Sequence, residues 1–165
     1  MPTSNPTDIL LAHDTWATRQ ILKACEALSP EQFHQKFEMG MGTLHDTTLH
    51  ILAAMVGWGN GLAGRDVRPR PELLPHRTAV ELQRMQDEIA PEFAALIRAH
   101  PLNEIISRSR EGKTRSFTRG AVLTHVATHG MHHRAQCLNM LRHLGVKPLP
   151  GSSVVEWTLA VDYPQ

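Results

Sequence analysis

Residues 118–144 read TRGAVLTHVATHGMHHRAQCLNMLRHL, and this stretch decides the fold. Thr118 offers a capping hydroxyl, no proline follows until Pro148, and Gly145 stands where a helix stops. The pattern predicts one long amphipathic helix to about Leu144. His125, His129 and His133 recur every four positions and therefore stack along one stripe of that helix. HxxxH is also the spacing at which two imidazoles one turn apart grip a single metal ion. His132 lies about 100° around the helix from His133, which predicts that it does not share the ion.

Working outward, three more long helices are predicted. Asn5-Pro6-Thr7-Asp8 supplies a cap, a first-turn proline and an acid at the positive dipole end, and helical periodicity runs from Ile9 to Leu28. Ser29-Pro30-Glu31-Gln32 stops it and caps a short helix. Thr43 caps the second long helix, with Leu44, Ile51, Leu52, Met55, Trp58 and Leu62 on its apolar face and Gly64 at its end. Residues 65–77 hold Pro69, Pro71 and Pro75 and are expected to form a loop. Thr78-Ala79-Val80-Glu81 is a capping box for the third, whose stripe runs from Leu82 to Ile97 with a kink expected at Pro91. Residues 101–117 are polar and basic, with alternation around Glu111-Gly112-Lys113 that suits a hairpin. Ser153-Val154-Val155-Glu156 caps a short closing helix. Four long helices make the expected fold class all-α, a helical bundle, as one domain over residues 1–165.

Bulk numbers bound the function. Lys+Arg 17 against Asp+Glu 16 gives a formal charge of +1, which implies no attraction to nucleic acid or to an anionic membrane. Eleven histidines make that charge depend on pH between about 5 and 7. Cys25 and Cys137 form no CxxC pair and read as buried free thiols in a reducing compartment. The N-terminal residues lack a basic and apolar leader pattern, and no apolar run is long enough for a bilayer. A cytoplasmic protein is expected.

Two histidines on a helix are not a site, and His50 is the best third ligand. It lies one turn after Asp46, at the edge of the second helix's buried stripe. Facing His129 and His133 across the core, it completes a three-histidine shell with an open coordination position. Neutral imidazoles suit Zn²⁺, Ni²⁺ or Fe²⁺ alike. His125 is the rival ligand. Gln136, near the stripe, reads either as a group that holds a bound water or a ligand ring, or as a surface residue. Asp46 reads either as an orienter of His50 or as an acid favouring its helix's positive end. Trp16 and Trp58 lie on apolar stripes and are expected in the core, with Trp58 also a candidate for the metal pocket.

The run His129-Gly130-Met131-His132-His133-Arg134-Ala135-Gln136 is similar to a closing HxxxHRGQ pattern. Residues 42–50, GTLHDTTLH, with Trp58 eight positions on, and the early Trp16-Ala17 after His13-Asp14 accompany it, as do Gly145-Val146, Pro148 and Pro150 near the end. Together these resemble the DinB/YfiT-like family of small bacterial metal-binding four-helix proteins, over nearly the whole chain. The resemblance implies a four-helix bundle with a short extra C-terminal helix, a homodimer, and a divalent metal on His50, His129 and His133. Ala135 stands where that family commonly has glycine, and Thr128 where asparagine often precedes the ligand. The second departure bears on what orients His129.

Three chemistries compete at such a site. The resemblance points to thiol S-transfer, in which a low-molecular-weight thiol attacks an electrophilic substrate. Other relatives look like metal-dependent hydrolases, and a non-catalytic, stress-associated protein whose metal stabilises the bundle is the reading from a different class. Hydrolysis needs a positioned base. Gly130 occupies the place of the glutamate in HExxH, which excludes that protease mechanism, and Asp14 and Asp46 are the acids expected near the metal end. The absence of an obvious base favours thiol transfer or no catalysis. A di-iron centre fails because Glu31 to His34 has no partner motif. Arg108, Arg110, Lys113, Arg115 and Arg119 lack interleaved aromatics and read as a solvated hairpin or an anion-facing rim, not a nucleic-acid groove.

Overall fold

The computed structural model describes residues 2–65, 77–110 and 112–163. Helix α1 spans Pro6–Cys25, α2 Pro30–Phe33, α3 Leu44–Leu62, α4 Ala79–Arg98, α5 Arg119–His143 and α6 Val154–Trp157, followed by a π-helical turn over Thr158–Asp162. The starts fall where local chemistry sets them. Asn5, Thr43, Thr78 and Thr118 each accept a hydrogen bond from a backbone N–H in the first turn of the helix they precede. Ser29, Thr78 and Ser153 form full capping boxes with Gln32, Glu81 and Glu156. Gly145 takes φ 81°, the left-handed conformation that ends α5 without a Cβ penalty. Helix α1 ends one turn before the expected Leu28, because residues 26–28 tighten into a turn whose Leu28 N–H donates to the Cys25 carbonyl. Helix α4 continues through Pro91, which is exposed. The loop expected over 65–77 lies almost wholly outside the described residues.

The expectation of an all-α chain needs correction. Strand β1 (Ile105–Arg110) pairs antiparallel with β2 (Lys113–Thr118), so a two-stranded sheet stands between α4 and α5. The chain is mostly helical, not wholly so. No helix among the described residues is long and apolar enough to cross a membrane.

Helices α1 and α3 each pack against both α4 and α5, and the hairpin rests on α3 and the start of α5. The apolar interior falls into two clusters. One gathers Ile21, Leu22, Phe33, Leu44, Leu52, Leu82, Met140 and Leu141; the other gathers Leu11, Met55, Phe93, Ile97, Val122 and Val126. Along α5 the interval between them, residues 127–136, holds the buried Arg134 and the half-buried His129 and His133. Arg134, only 1% exposed, donates from Nη1 to the Asp14 carboxylate and to Thr18 Oγ1 (3.0 Å) on α1. Burial works to raise the Asp14 carboxyl, against the lowering charge and hydrogen bond of Arg134, and the net direction is upward. Gly130 fits this crossing because it has no side chain. A Cβ there would lie 2.5 Å from Asp14 Oδ1 and 2.7 Å from Arg134 Nη1.

Trp157 is the buried tryptophan, at 3% exposure. Trp16 and Trp58, expected in the core, are half-buried instead. Trp16 packs near Gly151 of the C-terminal segment, which is also tied to α1 by His13, whose Nε2–H donates to the Ser152 carbonyl at 2.9 Å.

Removing one member of the buried ion pair strands the other. Asp14→Ala is therefore expected to cost about 3–5 kcal/mol in urea unfolding, more than the paired Asp14→Leu, Arg134→Met exchange. Gly130→Ala is expected to cost about 1–3 kcal/mol through overpacking at the same crossing.

Candidate metal centre

Helix α3 carries His50 and helix α5 carries His129 and His133, and the three rings meet. One ligand nitrogen from each lies within 4.8 Å of the others. The Nε2 atoms of His50 and His129 are 3.1 Å apart. Two nitrogens bound to one ion at about 2.0–2.1 Å and a tetrahedral angle stand about 3.3–3.4 Å from each other, so the observed spacing fits a shared ion with little movement. The ring of His133 stands edge-on to that of His50, with centroids 4.8 Å apart, and its centroid is 4.5 Å from that of His129.

Protonation suits a cation. Burial, followed by the positive potential of His133, His50, His125 and His132, pushes His129 down to about 4. Burial also lowers His133, partly offset by its hydrogen bond to Gln136. Both rings are neutral near pH 7 and offer lone pairs. Gln136 Oε1 lies 2.7 Å from His133 Nδ1. An amide oxygen only accepts, so Nδ1 carries the proton and Nε2 is left as the coordinating atom. Gln136 thus fixes the orientation and tautomer of the His133 ring. Its amide nitrogen donates to His132 Nε2 (3.2 Å). His132 itself is exposed and outside the ligand group, as its position around the helix predicts.

The other sequence candidates are placed as follows. His125 is outside the convergent group; its ring lies between those of His129 (5.4 Å) and Trp58 (5.2 Å). Trp58 reaches the site only through His125, and it also packs edge-on against Phe117 at 5.3 Å. Asp46 accepts from His45 Nδ1 at 2.8 Å, and its N–H is capped by Thr43. Partial burial works to raise its carboxyl, but the hydrogen bonds from His45 and Thr43 and the charges of His45 and Lys36 outweigh that and hold it low. It serves the start of α3 and its neighbour His45. Thr128 turns its hydroxyl back to the Thr124 carbonyl (2.8 Å) on its own helix, so it makes no hydrogen bond to His129. Asp14 and Arg134 both stand in runs quoted from the sequence, but nothing in the sequence marks them as partners.

Next to His125, one ring away from His129, opens a cleft of about 840 Å³. Trp58, Phe117 and His125 wall it, with Arg108, Lys113 and Arg115 from the hairpin. Arg108, Lys113 and Arg115 of the basic cluster therefore wall this cleft, whereas Arg119 is buried and paired with Glu104.

A DinB family model matches residues 1–158. The chain belongs to the DinB family. It is 24% identical over 150 residues to "Protein DinB" of Bacillus subtilis (strain 168), covering 86% of this chain and 87% of that one. A crystal structure of a DinB-like protein from Bacillus cereus ATCC 10987 superposes with a TM-score of 0.67 at 20% identity, covering 86% and 91% of the two chains. That likeness speaks for the fold. Family membership together with the three-histidine cluster makes this DinB protein compatible with metal binding.

A histidine kept neutral by its surroundings makes folding sensitive to acid. Below about 6.5 the unfolded chain takes up a proton that folded His129 refuses until about pH 4. Stability present above pH 6.5 is thus lost as pH falls toward 4. In chelator-treated protein, Tm is expected to fall more steeply over that window for the native chain than for His129→Gln; equal slopes would contradict the assignment.

Proposed function

We propose that this DinB protein is a divalent-metal-dependent thiol S-transferase, with His50, His129 and His133 as ligands to Zn²⁺, Ni²⁺ or Fe²⁺. The observation that carries the reading is the convergence of three imidazoles from two helices, with His125 standing between His129 and a cleft large enough for a small substrate. Bound there, a divalent ion would lower the pKa of a coordinated thiol and supply a thiolate near neutral pH. The chain's own residues do the rest. His133 is held in its coordinating tautomer by Gln136, and the α1–α5 crossing at Asp14, Arg134 and Gly130 fixes the rotation of α5 that points His129 and His133 at α3.

Two features favour thiol transfer over hydrolysis. Both acids offered as a base are engaged, Asp14 with Arg134 and Asp46 with His45. The protein's own thiols are unsuited as nucleophiles: Cys25 and Cys137 are buried, and burial pushes both upward, Cys137 to about 12. The thiol in this reading is a separate small molecule, and the electrophile is its co-substrate. The family resemblance adds a homodimer, which sedimentation of the untagged protein tests.

Untagged protein is expected to carry near-stoichiometric metal, and His129→Ala, His133→Ala protein almost none. Gln136→Leu is expected to weaken metal affinity about 10–100-fold while leaving the fold intact. Conjugation of a low-molecular-weight thiol to an electrophile should vanish in the stripped protein and return with metal. If stripping lowers Tm and no thiol turns over in any loaded form, the metal is structural and the transferase reading fails.

A further inference from the structure

The β1–β2 hairpin is charged on the side that faces the helices. Its register pairs Ile106 with Phe117 and Arg108 with Arg115, and Lys113 follows Arg115 on the same face, so the side chains of that face are apolar at the base and cationic beyond it. Ile106 and Phe117 pack onto the apolar cluster of α4 and α5, which identifies this as the inner face. The outer face carries Ser107 and Ser116, bonded to each other at 2.9 Å. Of the cations on this face Arg108 is half-buried, while Arg115 and Lys113 are exposed at the rim of the cleft.

The inner cations share the cleft. Arg108, Lys113 and Arg115 line it together with Trp58, Phe117 and His125, and no carboxylate lines it among the described residues. Arg108 and Arg115 sit directly opposite across the ladder, where like charges repel. Arg108 is also fixed in place. Its guanidinium carbon is 5.4 Å from the centre of the Trp58 ring, and its side chain runs alongside Gly57 and Gly61 on α3. A held guanidinium with a second cation opposite, above two aromatic walls, is a receptor for negative charge on an apolar stem.

We propose that this cleft binds a small organic anion, with its carboxylate or phosphate held by Arg108 and Arg115, its apolar body between Trp58 and Phe117, and its far end toward the histidine cluster. The inference rests on the transferase reading only for its far end, where the bound molecule is the thiol or the electrophile. The anion-binding end stands on the hairpin alone.

The Trp58 indole N–H resonance, assigned through Trp58→Phe, reports occupancy in ¹⁵N-labelled protein with and without metal. The probes are 4-phenylbutanoate, 3-phenylpropyl phosphate and the uncharged 4-phenylbutanamide. At least one anion is expected to shift the resonance saturably, with the amide roughly tenfold or more weaker, and Arg108→Gln and Arg115→Gln each weakening the anion roughly tenfold. Whichever anion binds more tightly names the headgroup. Added salt should weaken both. Equal binding of the amide, unchanged binding in folded Arg→Gln variants, or no saturation into the millimolar range overturns the proposal. The same titration on His129→Ala, His133→Ala protein separates the two readings: anion binding there without metal or thiol conjugation upholds the cleft and removes the transferase. Metal-dependent conjugation of charged substrates left unchanged by Arg108→Gln and Arg115→Gln does the opposite.

Discussion

The contact between Arg134 and Asp14 sets the rotation of α5, and the histidine cluster depends on that rotation. Successive residues on a helix are 100° apart. With Gly130 and Arg134 turned toward α1, His129 and His133 are turned toward α3, where His50 waits. A buried ion pair is poor evidence for net stability, since desolvation offsets most of its attraction. Its contribution here is registry: an arginine with 1% exposure has few places to go, and Thr18 and the Asp14 carboxylate define the one it takes. Gly130 allows the backbones to meet there.

This polar layer lies between two apolar clusters, which gives the interior a division of labour. The outer layers carry hydrophobic burial, while the middle layer carries charged and coordinating groups. Polar atoms at that level reduce the stabilisation the layer could otherwise supply, yet most are partnered. Two exceptions are Arg134 Nε and Gln86 Oε1, which have no partner at hydrogen-bond distance among the described residues.

Much of this could be read from the chain. Thr43, Thr78 and Thr118 marked helix starts because a capping hydrogen bond spans only two or three residues and needs no tertiary context. The pair His129/His133 was legible for the same reason, and His50 followed from its place on the inner edge of α3. Gln136 was ambiguous because it lies three residues from His133 and four from His132, within reach of both, and it bonds both. Three things were hidden. The pairing of Asp14 with Arg134 joins residues 120 positions apart. The tryptophans were misassigned because Trp16 and Trp58 occupy stripe edges, while Trp157 is buried by the return of the chain end onto α1. The hairpin's orientation was hidden too, since its alternating arginines, serines and threonines show no apolar period, and only Ile106 and Phe117 reveal which side lies inward.

Thr118 closes β2 and caps α5 with a single residue, so the hairpin and the histidine-bearing rod are joined without a linker. The tip at the opposite end of the hairpin holds Gly112, at φ 73°. Exchange of residues at that tip leaves the phase of α5 untouched. A change at that turn is separated by the whole of β2 from the helix that carries His129 and His133.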